Sequence, residues 1–210
     1  MFSAAVIAVA CAFLFRQAVM VEAGRFMAPE ANHMQGVADV VILEGTEFLY
    51  TGMVSKGMEL LVAGKAKRMA IVLQGIPPNS MRFAFSGDYP SSVRRELQNL
   101  GLKDSAFIII VTPVREPITL TSARDAMEAL SRDGVKSAIL VSPGFHMRRS
   151  FLVYRYLFAP LNVSLYPVAY FGEYQLADWW HDDIAVRDFI EELVKLLLYV
   201  AKGYIPLKFS

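Results

Sequence analysis

Side chains that can transfer protons or bind anions are concentrated in one stretch, VSPGFHMRRS at 141–150. His146 can donate or accept a proton near neutral pH, and Arg148 and Arg149 can bind anions. The stretch follows an apolar run and precedes an aromatic one, which is typical of a strand that turns into a helix. Cations in the first turn of a helix are unfavourable unless an anion binds there. The pattern therefore predicts an anion site, and arginines that face solvent are the alternative interpretation.

Further polar candidates come from TPVREPITLTSARDA at 112–126 and from the ends of other apolar runs. Thr121 is the hydroxyl best placed to contact a ligand, and Glu116 can orient His146 or pair with an arginine. An ordinary solvated loop is the alternative for this segment. His146 is thus the candidate general acid or base, and the candidate ligand contacts are Glu44, Gly45, Gly75, Glu116, Thr121, Ser142, Arg148 and Arg149.

Five apolar runs alternate with helical patterns after residue 37, which predicts a Rossmann-like α/β domain: a doubly wound, mainly parallel sheet with helices on both faces. In such sheets ligands bind beyond the carboxyl ends of the strands, where the strand order reverses, and the candidate residues lie at such ends. The predicted strands are 38–45, 68–75, 106–111, 136–142 and 162–170. The predicted helices are 53–66, 90–101, 120–134, 146–158 and 184–203, the last capped by Asp182 or Asp183.

Residues 1–15 carry no charge, and the chain is 55% apolar with a mean hydropathy of +0.38. This run is shorter than the roughly 20 residues of a spanning helix, but Arg16 can snorkel and extend it. We expect an apolar N-terminal helix at 1–23 that acts as a membrane anchor, a linker at 24–37 and one domain at 38–210. A cleaved signal peptide and a buried helix are the alternatives.

Composition and missing motifs exclude several classes of function. A formal net charge of +1 over 210 residues argues against a nucleic-acid interface. One cysteine, Cys11, excludes an internal disulfide, and no Cys/His spacing indicates a zinc site. The chain lacks G-x-S-x-G, P-loop and G-x-G-x-x-G motifs, so a serine hydrolase or a typical dinucleotide enzyme is unsupported. WWHDD at 179–183 is interpreted as aromatic packing plus a helix cap rather than as metal ligands, and no cofactor is identified.

The stretch AILVSPGFHMRRSFLVYRYL at 138–157 resembles the YdcF/SanA/ElyC-like family of bacterial envelope proteins, in which a strand, a small-residue turn and His-Met-x-Arg precede an aromatic helix. ADVVILEG, GMELLVAGKAKRMAIVLQG, EPITLTSARDA and EELVKLLLYVAKG resemble other segments of that family, so the likeness covers about 38–202. His146, Arg149 and Thr121 fit the family pattern. The chain departs from it at Glu44 and Gln74, where glycine is usual, at Met53, where arginine is common, and at Ala123-Arg124, which replace an acid and an amide.

The resemblance implies a domain held at the bacterial inner membrane by a single pass and engaged in cell-envelope or peptidoglycan biogenesis. With the predicted anion site, it suggests that the ligand is an anionic, phosphorylated small molecule or a lipid head group. A hydrolase or transferase that uses His146 is one version of this function. A non-catalytic membrane scaffold, or a nucleotide-like ligand-binding module with a degenerate pocket, is the alternative. We also expect Glu44 to lie near the ligand groove, within reach of His146 or an arginine.

Overall fold

The computed structural model describes residues 2–31, 34, 36–45, 49–75, 88–172 and 174–206, without the side chains of 2–14. Its first element is a 26-residue helix, α1 (Phe2–Met27). The helix extends into the segment interpreted as a linker, and Met27 and Ala28 are buried in the core of the domain. Within the described residues, no helix combines the length and the apolar character needed to cross a membrane.

The sheet has five strands, all parallel, in the order β3-β2-β1-β4-β5. These are β1 (Val40–Glu44), β2 (Met69–Gln74), β3 (Phe107–Thr112), β4 (Ser137–Pro143) and β5 (Ser164–Tyr170). The central strand β1 is buried along its whole length, because a parallel sheet is covered on both faces. The prediction of an α/β fold with a five-stranded parallel sheet is confirmed, and the strand order reverses between β1 and β4.

Helices cover the two faces of the sheet in two groups. On one face, α2 (Thr51–Val62) and α3 (Tyr89–Asn99) contribute to the apolar cluster that contains Val41 and Leu43 of β1. On the other, α4 (Ile118–Arg132), α5 (His146–Phe158), α6 (Asp183–Ala201) and the end of α1 contribute to the apolar cluster that contains Val40 and Ile42. Because side chains alternate along a strand, Glu44 lies on the same face as Val40 and Ile42.

The SPGF turn between β4 and α5 has the structure that its residues favour. Gly144 adopts a φ of +33°, and a Cβ atom there would lie 2.6 Å from the hydroxyl of Tyr174, so glycine is required. Phe145 is buried among the rings of Phe171, Tyr174, Trp179 and Phe189. These contacts fix the start of α5, which begins at His146 as predicted.

The segment WWHDD performs the packing and capping interpreted from the sequence. The ring of Trp179 stacks on Phe189 with 4.3 Å between centroids, and its Nε1 donates to the carbonyl of Met20 at 2.9 Å. The carboxylate of Asp182 caps α6 by accepting from the N–H of Ala185 at 2.9 Å. One segment therefore joins the end of α1 to the beginning of α6.

Candidate functional site

Four of the predicted site residues meet where the strand order reverses. Glu44 ends β1, Ser142 lies near the end of β4, and His146 and Arg149 lie in the first turn of α5. The Oε2 atom of Glu44 accepts a hydrogen bond from Ser142 Oγ at 2.9 Å and lies 3.5 Å from His146 Nε2. The contact between Glu44 and His146 that we expected is therefore present.

Arg149 is buried, with only 2% of its side chain exposed. Its Nε and Nη2 donate to the two carboxylate oxygens of Glu192 at 2.9 and 3.0 Å, a bidentate pair. Its Nη1 donates to Thr119 Oγ1 at 2.6 Å, and Nη2 lies 2.7 Å from His146 Nδ1. The cation in the first turn of α5 is thus compensated by a carboxylate of α6, whereas we had expected an external anion.

His146 is held between two carboxylates and remains 18% exposed. Its Nδ1 lies 3.0 Å from Glu192 Oε2, while its Nε2 faces Glu44. Burial and the charge of Arg149 lower the pKa of His146, but Glu192 and Glu44 outweigh them and raise it to about 9. In the protonated form, His146 Nδ1 and Arg149 Nη2 are two donors 2.7 Å apart, which disfavours protonation. However, Glu44 and Glu192 carry two negative charges and Arg149 only one positive charge, so a neutral imidazole would leave one negative charge uncompensated. We therefore assign the imidazolium form at neutral pH.

The two carboxylates stay ionised in spite of their burial. Burial alone would raise the pKa of Glu44, but the charge of His146 and hydrogen bonds from Ser150 and Ser142 hold it below its usual value. The pKa of Glu192 is likewise lowered against the effect of burial, first by His146 and then by Arg149. Glu44, Glu192, His146 and Arg149 form a compensated ion cluster, which we call the strand-end cluster.

Glu192 is the residue that the sequence analysis missed. It lies on α6 at positions i+7 from Ala185, i−4 from Leu196 and i−7 from Tyr199, which are all buried. That spacing places it on the apolar face of the helix. A carboxylate on a buried face is rarely left unpaired, so this pattern predicts a buried cationic partner.

Three members of the strand-end cluster, Glu44, His146 and Glu192, form one wall of a cleft of about 150 Å³. Three aromatic residues, Tyr50, Phe145 and Tyr174, form another part of its lining. Tyr174 Oη donates to Asp188 Oδ2 at 3.5 Å, and burial raises the pKa of both groups. The charged residues of the lining are Glu44, Asp188, Glu191, Glu192, His146 and Lys195. The cleft is therefore suited to proton transfer, but it does not have an excess of positive charge.

Three further predicted contacts lie away from this cleft. Arg148 has its guanidinium carbon 4.2 Å from the ring centroid of Phe26, so it faces α1. Thr121 Oγ1 donates to the carbonyl of Arg115 at 2.7 Å, within the start of α4. Glu116 is exposed and lines a second cavity. Adjacent helical residues point about 100° apart, so Arg149 and Arg148 face different elements.

The two glycines of the predicted site lie at the ends of β1 and β2. The N–H of Gly45 donates to the carbonyl of Val72 at 2.8 Å and continues the pairing of β1 with β2. Gly75 is exposed just after β2, and a Cβ atom there would meet only Val111 at 3.5 Å. The strand-end cluster therefore includes the end of β1 but not that of β2.

The proximity of Glu44 to His146 leads to a titration experiment. We expect Glu44→Gln to lower the pKa of His146 below about 9, because the variant removes a negative charge 3.5 Å from Nε2. The imidazole would then begin to lose its proton at lower pH than in the wild type. An NMR titration of the imidazole C–H resonances measures this change, with the exposed Glu59→Gln as the control. An unchanged pKa in Glu44→Gln would contradict the assignment.

Comparison with known proteins adds nothing to this geometry. No family model matches the chain, no curated protein matches it, and no solved structure matches it. Within the described residues, no group of three or more His, Cys, Asp or Glu side chains could hold a metal ion. The resemblance to the YdcF/SanA/ElyC-like family therefore remains a prediction, and the strand-end cluster is the basis for assigning a function.

Proposed function

We propose that this protein is a hydrolase or transferase in which His146 acts as a general acid on a phosphorylated small molecule or lipid head group. The observation that carries this proposal is the placement of His146 at the reversal point of the sheet, between Glu44 and Glu192 and still partly exposed to the cleft. Ligands of open parallel sheets bind at this point. A strongly perturbed group in a cleft is a common mark of an active site.

The contacts of the two ring nitrogens assign them different tasks. Nδ1 donates to Glu192 Oε2, and this hydrogen bond fixes the orientation of the imidazole. Nε2 has only the longer contact to Glu44, so it is the nitrogen that transfers the proton. With a pKa of about 9, His146 carries that proton at neutral pH and can give it to the oxygen of a departing group. The incoming water or hydroxyl returns a proton to Nε2.

Loss of the imidazole tests the proposal directly. We expect His146→Gln to lower kcat by about 10²–10⁴-fold, the usual contribution of a positioned general acid. The assay follows hydrolysis of p-nitrophenyl phosphate and bis(p-nitrophenyl) phosphate by the full chain. His181→Gln is the control, because His181 is exposed and does not line the cleft. Equal rates for wild type and His146→Gln would contradict the proposal.

A non-catalytic binding module is the second candidate. The observation in its favour is that Glu44 and Glu192 already compensate the positive charges of His146 and Arg149, so the cluster needs no substrate to balance its charge. If the protein is a binding module, the wild type shows no turnover, and His146→Gln changes only the affinity for the ligand. The enzyme predicts a loss of rate while the substrate affinity is kept.

We also propose that α1 attaches the protein to the bacterial inner membrane, in support of envelope biogenesis. The uncharged run at 1–15 and the family resemblance support this location. The end of α1 has a different task, because the carbonyl of Met20 accepts from Trp179 and Met27 is buried. The anchor and the domain thus share one helix.

Two deletions separate these tasks of α1. We expect removal of residues 2–14 to leave a folded protein that no longer sediments with membranes. Removal of 2–25 should lower the free energy of unfolding by about 1 kcal/mol or more, because Trp179 loses its hydrogen-bond acceptor. Membrane sedimentation and urea denaturation measure the two effects. Persistent sedimentation of the shorter deletion would place the attachment elsewhere, and its unfolding would make 2–14 part of the core.

A further inference from the structure

A second cavity, of about 470 Å³, lies beside the strand-end cluster between the start of α4 and the second half of α6. Of the residues that line the His146 cleft, this cavity shares only Lys195. Its lining contains three cationic residues, Arg149, Lys195 and Lys202, and one carboxylate, Glu116. The balance of charge is therefore opposite to that of the His146 cleft.

The N-terminus of α4 opens into this cavity through Pro117 and Ile118. The 15-residue helix has Pro117 at its N-cap, without a side-chain hydrogen bond, and no acidic residue in its first turn. The hydroxyl of Thr121 donates to backbone carbonyls instead of capping the helix. The first N–H groups of α4 thus lack a side-chain acceptor among the described residues, and such groups favour an anion.

Arg149 brings a buried charge to the same place. Its Nε and Nη2 donate to Glu192 and its Nη1 donates to Thr119, and the guanidinium also hydrogen-bonds Tyr199, which lines the cavity. Nη1 is the atom that contacts Thr119, a residue in the first turn of α4. Nη1 therefore lies on the side of the helix N-terminus, whereas Nη2 lies on the side of His146.

Two lysines of α6 and its C-cap complete the charge of the cavity. Lys202 caps α6 and makes no ion pair with a residue that the structure describes. Lys195 pairs with Glu191 and Glu192 at 2.6 and 3.2 Å, and its side chain is 33% exposed. Leu198 and Tyr204 add apolar surface beside these ammonium groups. The cavity thus suits an anionic group that carries an organic substituent.

We propose that this cavity binds a phosphate group of the ligand other than the one at which His146 acts, at the N-terminus of α4 and in contact with Arg149, Lys195 and Lys202. This site gives the proposed function a second ligand contact. The assignment of the ligand as phosphorylated rests on that proposed function. The site also moves the anion from the start of α5, where the sequence placed it, to the start of α4. The organic part of the ligand lies against Leu198 and Tyr204.

The position of Arg149 couples the two cavities. The same guanidinium lines the phosphate cavity and lies 2.7 Å from His146 Nδ1. A phosphate bound to Arg149 offsets part of the positive charge that His146 experiences. Binding should therefore shift the titration of His146 to higher pH, which is a readout that a non-specific surface site would not give.

Calorimetry at low ionic strength tests the site with three probes: inorganic phosphate, phosphatidylglycerol vesicles and neutral phosphatidylcholine vesicles. We expect Lys202→Glu to weaken phosphate binding by about tenfold or more, the usual effect of losing a charge-assisted contact. Lys103→Glu makes the same change in charge at an exposed lysine outside the cavity and should bind like the wild type. Binding of inorganic phosphate supports a soluble ligand, and binding of the anionic vesicles alone supports a lipid head group, provided that Lys202→Glu weakens it.

Two outcomes would overturn the inference: no binding of either anionic probe, or equal binding by Lys202→Glu and Lys103→Glu. The His146 variant separates this failure from that of the proposed function. Phosphate binding without turnover by the wild type retains the site and refutes the enzyme. Turnover that His146→Gln abolishes and Lys202→Glu leaves unchanged retains the enzyme and refutes the site.

Discussion

Arg149→Ala is expected to lower the free energy of unfolding by about 3 to 5 kcal/mol, because it leaves the buried carboxylate of Glu192 without its bidentate partner. Thr119 loses its contact with the guanidinium in the same variant. If only the helix dipole mattered, Arg149→Ala would make the protein slightly more stable, because the dipole disfavours a cation in the first turn of α5. The buried ion pair outweighs the dipole effect, which is typically below about 1 kcal/mol.

Urea denaturation measures this loss, and two further variants control for other causes. Arg148→Ala removes the same side chain one residue earlier, where it lies over Phe26, and should cost no more than about 1 kcal/mol. Glu192→Gln combined with Arg149→Ala removes the carboxylate charge that Arg149 no longer compensates and should recover part of the stability. A loss below about 1 kcal/mol in Arg149→Ala would mean that the pair is solvated and contributes as little as a surface pair.

Phe145→Ala is expected to have a comparable effect, also about 3 to 5 kcal/mol, through a cavity in the core. The ring of Phe145 is 1% exposed, with centroids of Trp179 and Phe189 at 5.2 Å and of Phe171 at 5.7 Å. No small residue can fill the space between rings that belong to different elements. His146 follows directly in sequence, so the variant should also disturb the start of α5.

Near-UV circular dichroism and urea denaturation together measure the effect of Phe145→Ala. Phe145→Leu is the control, because it keeps most of the apolar volume and should cost less than about 1.5 kcal/mol. A similar small loss in both variants would show that the aromatic cluster tolerates a cavity. In that case the orientation of His146 would have to depend on Glu192 and Glu44 alone.

The sequence predicts the place of the site better than its chemistry. Apolar runs that end in glycine or in a turn identified the strands, and the reversal rule for parallel sheets brought Glu44, Ser142, His146 and Arg149 together. This inference needs only the order of the elements. The helical start at His146 also follows from local residues, because a proline and a glycine end the preceding strand.

The partner of Arg149 was not predictable by the same means. Glu192 comes from α6, 43 positions later in the chain, and its approach depends on how that helix crosses the sheet. Local sequence also does not decide between Arg148 and Arg149, or between Thr119 and Thr121. Each of these pairs lies on one helix turn, and only the packing of α1 and α6 determines which member faces the strand ends.

The hydrogen bond from Trp179 to Met20 gives the protein a built-in spectroscopic probe. The indole of Trp179 contacts α1 through this bond and the start of α5 through Phe145. The chain contains two tryptophans, so Trp180→Phe leaves Trp179 as the sole indole emitter. Its emission wavelength and lifetime then report, without any attached label, on the joint between the N-terminal helix and the residue that precedes His146.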